Sequence, residues 1–145
     1  MTNDELFMQK CIELAREGKG FVSPNPLVGC LIIKDGNVIG KGFHKKYGEA
    51  HAEVNAVIDA KKKGFDLKGS TLYVNLEPCS HAGKTPPCTD LLISEKVGKV
   101  IIGMKDPYEK VNGKGIKKLK KAGIEVKAGV LEDECKELNK FFIKF

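Results

Sequence analysis

Apolar positions along this chain follow two rhythms, and their alternation predicts the fold. Residues 4–17 carry Leu6, Cys11, Ile12, Leu14 and Ala15 on one helical face, with Asp4 as the expected N-cap and Gly18 as the stop. Ser23-Pro24-Asn25-Pro26 forbids helix and sets a stiff loop. Strands are expected over 27–33 and 38–43, joined by a hairpin turn at Asp35-Gly36-Asn37. Gly40 and Gly42 leave room there for a close neighbour. A helix follows over 51–63, with Ala52, Val54, Ala56, Val57 and Ala60 apolar and Gly64 as its end. Strand 71–76, helix 88–96, strand 99–104, helix 115–122, strand 124–128 and an amphipathic helix over 131–142 complete the chain.

The order is α-β-β-α-β-α-β-α-β-α. A hairpin followed by β-α-β units implies an α/β fold: one five-stranded mixed sheet, its later strands parallel, with helices on both faces. No internal repeat is present, and residues 1–145 read as a single domain. Ligands in such sheets gather at the carboxyl ends of strands and the amino ends of the following helices. Segments 51–53 and 79–88 are therefore expected on one edge.

Composition narrows the class. The chain has 41% hydrophobic and 30% charged residues, as a globular protein does. No apolar run approaches the ~18 residues of a membrane span. The polar start, Met-Thr-Asn-Asp-Glu, does not resemble a signal peptide, so a cytoplasmic location is expected. A net charge of +6 invites a nucleic-acid reading. However, Arg16 is the only arginine among 25 basic residues, and base readout leans on arginine. The lysine runs 61–63 and 117–121 read first as solvated helix faces, and second as a surface that draws in a phosphorylated small molecule. Five cysteines argue against a disulfide framework. Cys11, Cys30 and Cys135 fall on apolar faces and read as buried small hydrophobes.

The remaining cysteines carry the chemistry. His51, Cys79 and Cys88 are one imidazole and two thiols, donors that zinc favours; a catalytic zinc keeps its fourth position for water. Glu53, two residues after the histidine, is placed to handle that water's protons. The pattern His-x-Glu, then Pro-Cys and a further Cys, is that of zinc deaminases. A closed structural site is the alternative, but it needs a fourth ligand and commonly shows closer Cys pairs. The eight residues between Cys79 and Cys88 include His81, Lys84 and Thr85: a cation, a hydroxyl and flexible amides suited to a phosphate. For His81 a loop histidine bonding its own backbone is the alternative, for Asp106-Pro107 a turn, and Asn25 either faces a ligand or merely sits in a connecting loop.

These residues carry a resemblance. Ser23-Pro24-Asn25-Pro26-Leu27-Val28-Gly29, the segment Gly42-Phe43-His44 through His51-Ala52-Glu53, the whole of 76–88, Asp106-Pro107, 111–115 and 138–142 together resemble one domain family. It is the deaminase domain of the bifunctional riboflavin-biosynthesis deaminase/reductase, within the cytidine-deaminase-like superfamily. The likeness spans essentially the whole chain. It implies a three-layer α-β-α fold and one catalytic Zn2+ held by His51, Cys79 and Cys88, with Glu53 shuttling protons. It implies hydrolytic deamination of 2,5-diamino-6-ribosylamino-4(3H)-pyrimidinone 5′-phosphate, with release of ammonia. Asn25 and His44 match positions that contact the pyrimidine and its ribosyl-phosphate; His81, Lys84, Thr85 and Asp106 complete the expected substrate contacts.

The family continues into a reductase domain, whereas no dinucleotide fingerprint occurs here, so the reductase step is expected from a separate chain or domain. A tRNA or other nucleobase deaminase of the same superfamily is the nearest rival, and a non-catalytic zinc-binding module the rival of another class. The partner expected is a small phosphorylated pyrimidine, not nucleic acid and not a membrane, with a homo-oligomer possible through the apolar 141–145 segment.

Overall fold

The computed structural model describes residues 1–23, 25–80, 87–107 and 112–140. Ten elements alternate as expected: α1 (Asn3–Arg16), β1 (Gly29–Lys34), β2 (Asn37–Phe43), α2 (Ala52–Lys62), β3 (Thr71–Leu76), α3 (Cys88–Ser94), β4 (Lys99–Met104), α4 (Lys114–Lys121), β5 (Glu125–Ala128) and α5 (Glu132–Leu138). Asp35 and Gly36 both take positive φ, 51° and 77°, the pairing that a two-residue hairpin turn of matching twist requires. The sheet order is β2-β1-β3-β4-β5. β1 is antiparallel to β2 and to β3, whereas β3, β4 and β5 run parallel. A register shift between Ile32 and Ile33 bends the β1–β2 ribbon.

Side-chain alternation along the strands feeds two cores. Cys30, Ile32, Leu72, Val74, Val100 and Ile102 pack against apolar residues of α2, α3 and α4. On the opposite face Leu31, Ile33, Tyr73 and Ile101 meet Met8, Cys11 and Ile12 of α1 and Cys135 of α5. Helices thus cover both faces, and the three-layer α-β-α arrangement is the one observed. Among the described residues no helix is long and apolar enough to cross a membrane.

Two details depart from expectation at the start of the chain. The N-cap of α1 is Thr2, not Asp4: the Thr2 hydroxyl accepts from Glu5 N–H and the Glu5 carboxylate accepts from Thr2 N–H, a capping box. Asp4 is instead drawn outward, accepting from Tyr73 Oη at 2.6 Å and Lys127 Nζ at 3.0 Å. Leu6 is 47% exposed, because the buried stripe is Met8, Cys11, Ile12 and Ala15.

Two further differences lie at element ends. β1 starts at Gly29 and not at Leu27, since the Leu27 peptide groups are taken by asparagine side chains. α5 is shorter than the expected helix: Leu131 precedes it in left-handed backbone, it ends at Leu138, and residues 141–142 lie outside the described residues. The three cysteines expected in the core are buried, and burial pushes the thiols of Cys11 and Cys30 well up and that of Cys135 up to about 12. Lysines of the basic runs are exposed, apart from the half-buried Lys118, and several form ion pairs such as Lys61–Glu95, Lys63–Asp59 and Lys118–Asp90, the solvated faces expected.

The contact that aims the site is between β2 and α2. A Cβ on Gly42 would stand 2.5 Å from Ala56 N and 2.7 Å from Ala52 O; on Gly40 it would stand 2.5 Å from Ala56 O. Both glycines therefore let the helix backbone rest directly on the strand, which fixes where α2 begins. Gly42→Ala must push α2 off the sheet, at about 1–3 kcal/mol of stability. A lowered denaturation midpoint is expected, and an unchanged midpoint would contradict this packing.

Candidate metal centre and active site

α2 and α3 both begin at the same sheet edge, beside the end of β3. His51 is the N-cap of α2, with extended backbone and no capping bond from its side chain, so the imidazole is free to turn outward. Cys88 is the first residue of α3, after Pro87, whose fixed φ suits a helix entry. Cys79 follows β3 by three residues, and its carbonyl accepts from Thr89 N–H, which closes the turn onto α3. His51 Nδ1 lies 3.4 Å from Cys88 Sγ and 3.9 Å from Cys79 Sγ, and Cys88 N–H donates to Cys79 Sγ at 3.2 Å. All three donor atoms fall within 4.8 Å of one another.

That spacing can be tested against a metal. Metal bonds of about 2.3 Å to sulfur and 2.0 Å to nitrogen set tetrahedral ligands about 3.5–3.8 Å apart. The two nitrogen-to-sulfur distances bracket that range, and the donors are of the soft and borderline type. Among the described residues no fourth His, Cys, Asp or Glu joins the cluster. The donor set and its spacing fit a zinc ion.

The electrostatics follow from the same contacts. The Cys88 thiol pulls the Cys79 thiol down to about 4, burial opposing and His51 and the Cys88 amide assisting. The bond to Cys79 and burial push Cys88 well up. His51 is raised, first by Cys79, with burial opposing. A bound dication displaces the remaining protons, as thiolate and neutral imidazole are the ligating forms.

Glu53, in the first turn of α2, is 4% exposed, and its carboxyl is raised to about 7, chiefly by burial and further by the Cys79 thiolate. A carboxyl poised near neutrality both accepts and returns a proton.

A cavity of about 170 Å³ opens here, lined by Asn25, His44, His51, Glu53, Cys79 and Asp106, with Pro26, Val28, Leu76 and Pro78 as apolar walls. His44 Nδ1 is 3.2 Å from Ala50 O, so Nδ1 carries the proton of the neutral ring. Nε2 then accepts from Asn25 Nδ2 at 3.1 Å, which leaves Asn25 Oδ1 as the amide's acceptor.

The amino-terminal part of the chain, residues 1–104, matches the family model for the cytidine and deoxycytidylate deaminase zinc-binding region. The chain belongs to that family. It is 52% identical over 141 residues to the chloroplastic riboflavin biosynthesis protein PYRD of Zea mays, covering 97% of this chain and 35% of that one. It is 48% identical to the diaminohydroxyphosphoribosylamino-pyrimidine deaminase of Buchnera aphidicola, covering 97% of this chain and 94% of the relative. The Thermotoga maritima diaminohydroxyphosphoribosylaminopyrimidine deaminase/5-amino-6-(5-phosphoribosylamino)uracil reductase superposes with a TM-score of 0.92 at 53% identity, over 96% of this chain and 40% of that one. The chain thus spans about a third of the PYRD relatives and nearly all of the Buchnera protein.

Against the expected site, the structure brings Asn25, His44, Glu53, His51, Cys79 and Asp106 together at one cavity, with Cys88 buried beside them. His81, Lys84 and Thr85 lie outside the described residues. Glu77 had no expected role. It is buried, and each carboxylate oxygen accepts two backbone amides: Asp106 and Gly113 N–H at 3.0 Å on Oε1, Gly115 at 2.8 Å and Ile116 at 3.3 Å on Oε2. It caps α4 from another strand, since the N-cap residue Gly113 has no side chain to do so, and its charge faces the positive helix end. The signal was its place beside Pro78-Cys79; its partners, 29 to 39 residues away, were not visible.

Two outcomes check this geometry. Cys88→Ala or His51→Ala should leave the purified protein well below one metal per chain by elemental analysis, and stoichiometric metal would remove those residues from the centre. Glu77→Gln turns an amide nitrogen towards backbone donors and should lower stability by about 1–3 kcal/mol in denaturant titration. Parent stability would show that the four amides do not depend on the charge.

Proposed function

We propose that the chain catalyses zinc-dependent hydrolytic deamination of 2,5-diamino-6-ribosylamino-4(3H)-pyrimidinone 5′-phosphate to the corresponding 5-amino-6-ribosylaminouracil phosphate, with release of ammonia. The observation that carries the reading is a cluster of three metal donors, two of them lining the cavity, beside a buried carboxyl of raised pKa in the same cavity. The substrate class follows from the names of the Buchnera and Thermotoga relatives.

His51, Cys79 and Cys88 would hold zinc, which when bound supplies a Lewis acid able to acidify water. Glu53 takes the proton of the attacking water and delivers it to the departing nitrogen. Water's oxygen replaces the amine on the ring carbon, and ammonia leaves. The dry walls formed by Leu76, Val28 and Pro26 strengthen these charge interactions. Asn25 Oδ1 is placed to accept from the pyrimidine edge, and His44 holds Asn25 in that orientation. Asp106, which also lines the cavity, serves the ribosyl side. His81, Lys84 and Thr85 serve the phosphate, Lys84 as the cation.

Glu53→Gln should keep stoichiometric zinc while ammonia release falls by about 10²–10⁴. Parent-rate turnover by that variant would refute the proton shuttle. Lys84→Ala should raise the substrate KM about tenfold or more with kcat little changed, as expected for one lost charge-assisted contact; an unaltered KM would place the phosphate elsewhere.

A further inference from the structure

Leu27 is buried, yet neither of its backbone polar groups pairs with the sheet. Its N–H donates to Asn139 Oδ1 at 2.7 Å. Its carbonyl accepts from Asn139 Nδ2 at 2.9 Å and from Asn75 Nδ2 at 3.0 Å. Asn75 Oδ1 in turn accepts from Gly29 N–H at 2.7 Å. Both asparagines are fully buried, and neither lines the cavity. A primary amide presents the same donor and acceptor as a peptide, so Asn139 pairs with Leu27 as a neighbouring strand would.

The clamp has a rigid base and a short reach to the site. Asn139 directly follows α5. A Cβ on Gly103 of β4 would lie 2.3 Å from Cys135 Sγ, so α5 is seated without play on the sheet. From Leu27 the chain passes through Pro26, which fixes φ, to Asn25. Asn25 N–H bonds Val22 O at 2.8 Å, and its amide reaches His44 Nε2. The cavity-facing amide therefore hangs from a peptide held by side chains from β3 and from the end of α5.

We propose that Asn139 is a positioning residue for substrate recognition, acting through Leu27 on the placement of Asn25. The inference rests on the reading of Asn25 as a substrate contact. It gives the Leu138-Asn139 motif, 112 residues away in sequence, a task at the site.

The test uses the full zinc-loaded chain, with zinc content and circular dichroism as controls and ammonia release from the pyrimidine phosphate as readout. Asn139→Asp replaces the donor by a carboxylate oxygen facing the Leu27 carbonyl; Asn139→Gln keeps both groups but displaces them, and serves if the first variant does not fold. Either should raise KM about tenfold with kcat within about threefold and zinc at parity. In an Asn25→Ala background the Asn139 change should add nothing further to KM. A parent KM in a folded, zinc-replete Asn139 variant overturns the inference, as does full additivity with Asn25→Ala. If Asn25→Ala alone leaves KM unchanged, the role of Asn25 falls and the inference with it. If Asn25→Ala raises KM while the Asn139 variants do not, the inference alone falls.

Discussion

The Cys79 sulfur is the point on which the site is built. It accepts the Cys88 amide, faces His51 and adds to the rise that burial gives Glu53, so one atom joins the end of β3 to α3 and α2. None of these elements holds that position by itself. α2 is set by the glycine contacts on β2, α3 by the turn that closes on Cys79 O, and β3 by pairing on both sides. The arrangement gathers the three donors where α2 and α3 begin beside the end of β3, and the Cys79 thiol is held low by the Cys88 thiol and amide and by His51.

Around this point, loops are held by buried side chains that carry backbone hydrogen bonds the sheet cannot supply. Glu77 satisfies four amides of the segment that runs from Asp106 into α4. Asn75 and Asn139 satisfy Leu27 and Gly29 ahead of β1. Leaving such groups unpaired costs more than the bonds contribute net, so these polar residues specify a single loop position and not merely added stability. Backbone groups fixed in this way suit a site that must hold a small ring beside a metal and a carboxyl.

Most of this fold was legible because strand and helix rhythms differ and glycines mark the ends. The ten elements came out in order, and β3 and β4 with their observed limits. The starts of α1 and β1 differed because side-chain groups there take over backbone hydrogen bonds. Thr2 and Glu5 cap each other and move the start of α1, and Asn75 and Asn139 take Leu27 out of β1. His51, Glu53, Cys79 and Cys88 could be singled out as candidates because their chemistry is rare and local in sequence, and the structure brings them side by side. Glu77 and Asn139 could not be given roles, because what they do is defined by amides far along the chain.

The central claim is that one cavity joins metal-assisted hydrolysis to a phosphorylated pyrimidine. The most direct measurement compares ammonia release by zinc-replete protein from the pyrimidine 5′-phosphate, from the same compound without its phosphate, and from cytidine. Turnover of the first is expected, with a KM at least about tenfold higher for the second and no release from cytidine. Equal turnover of all three, or none from the phosphorylated compound by fully zinc-loaded protein, would contradict it.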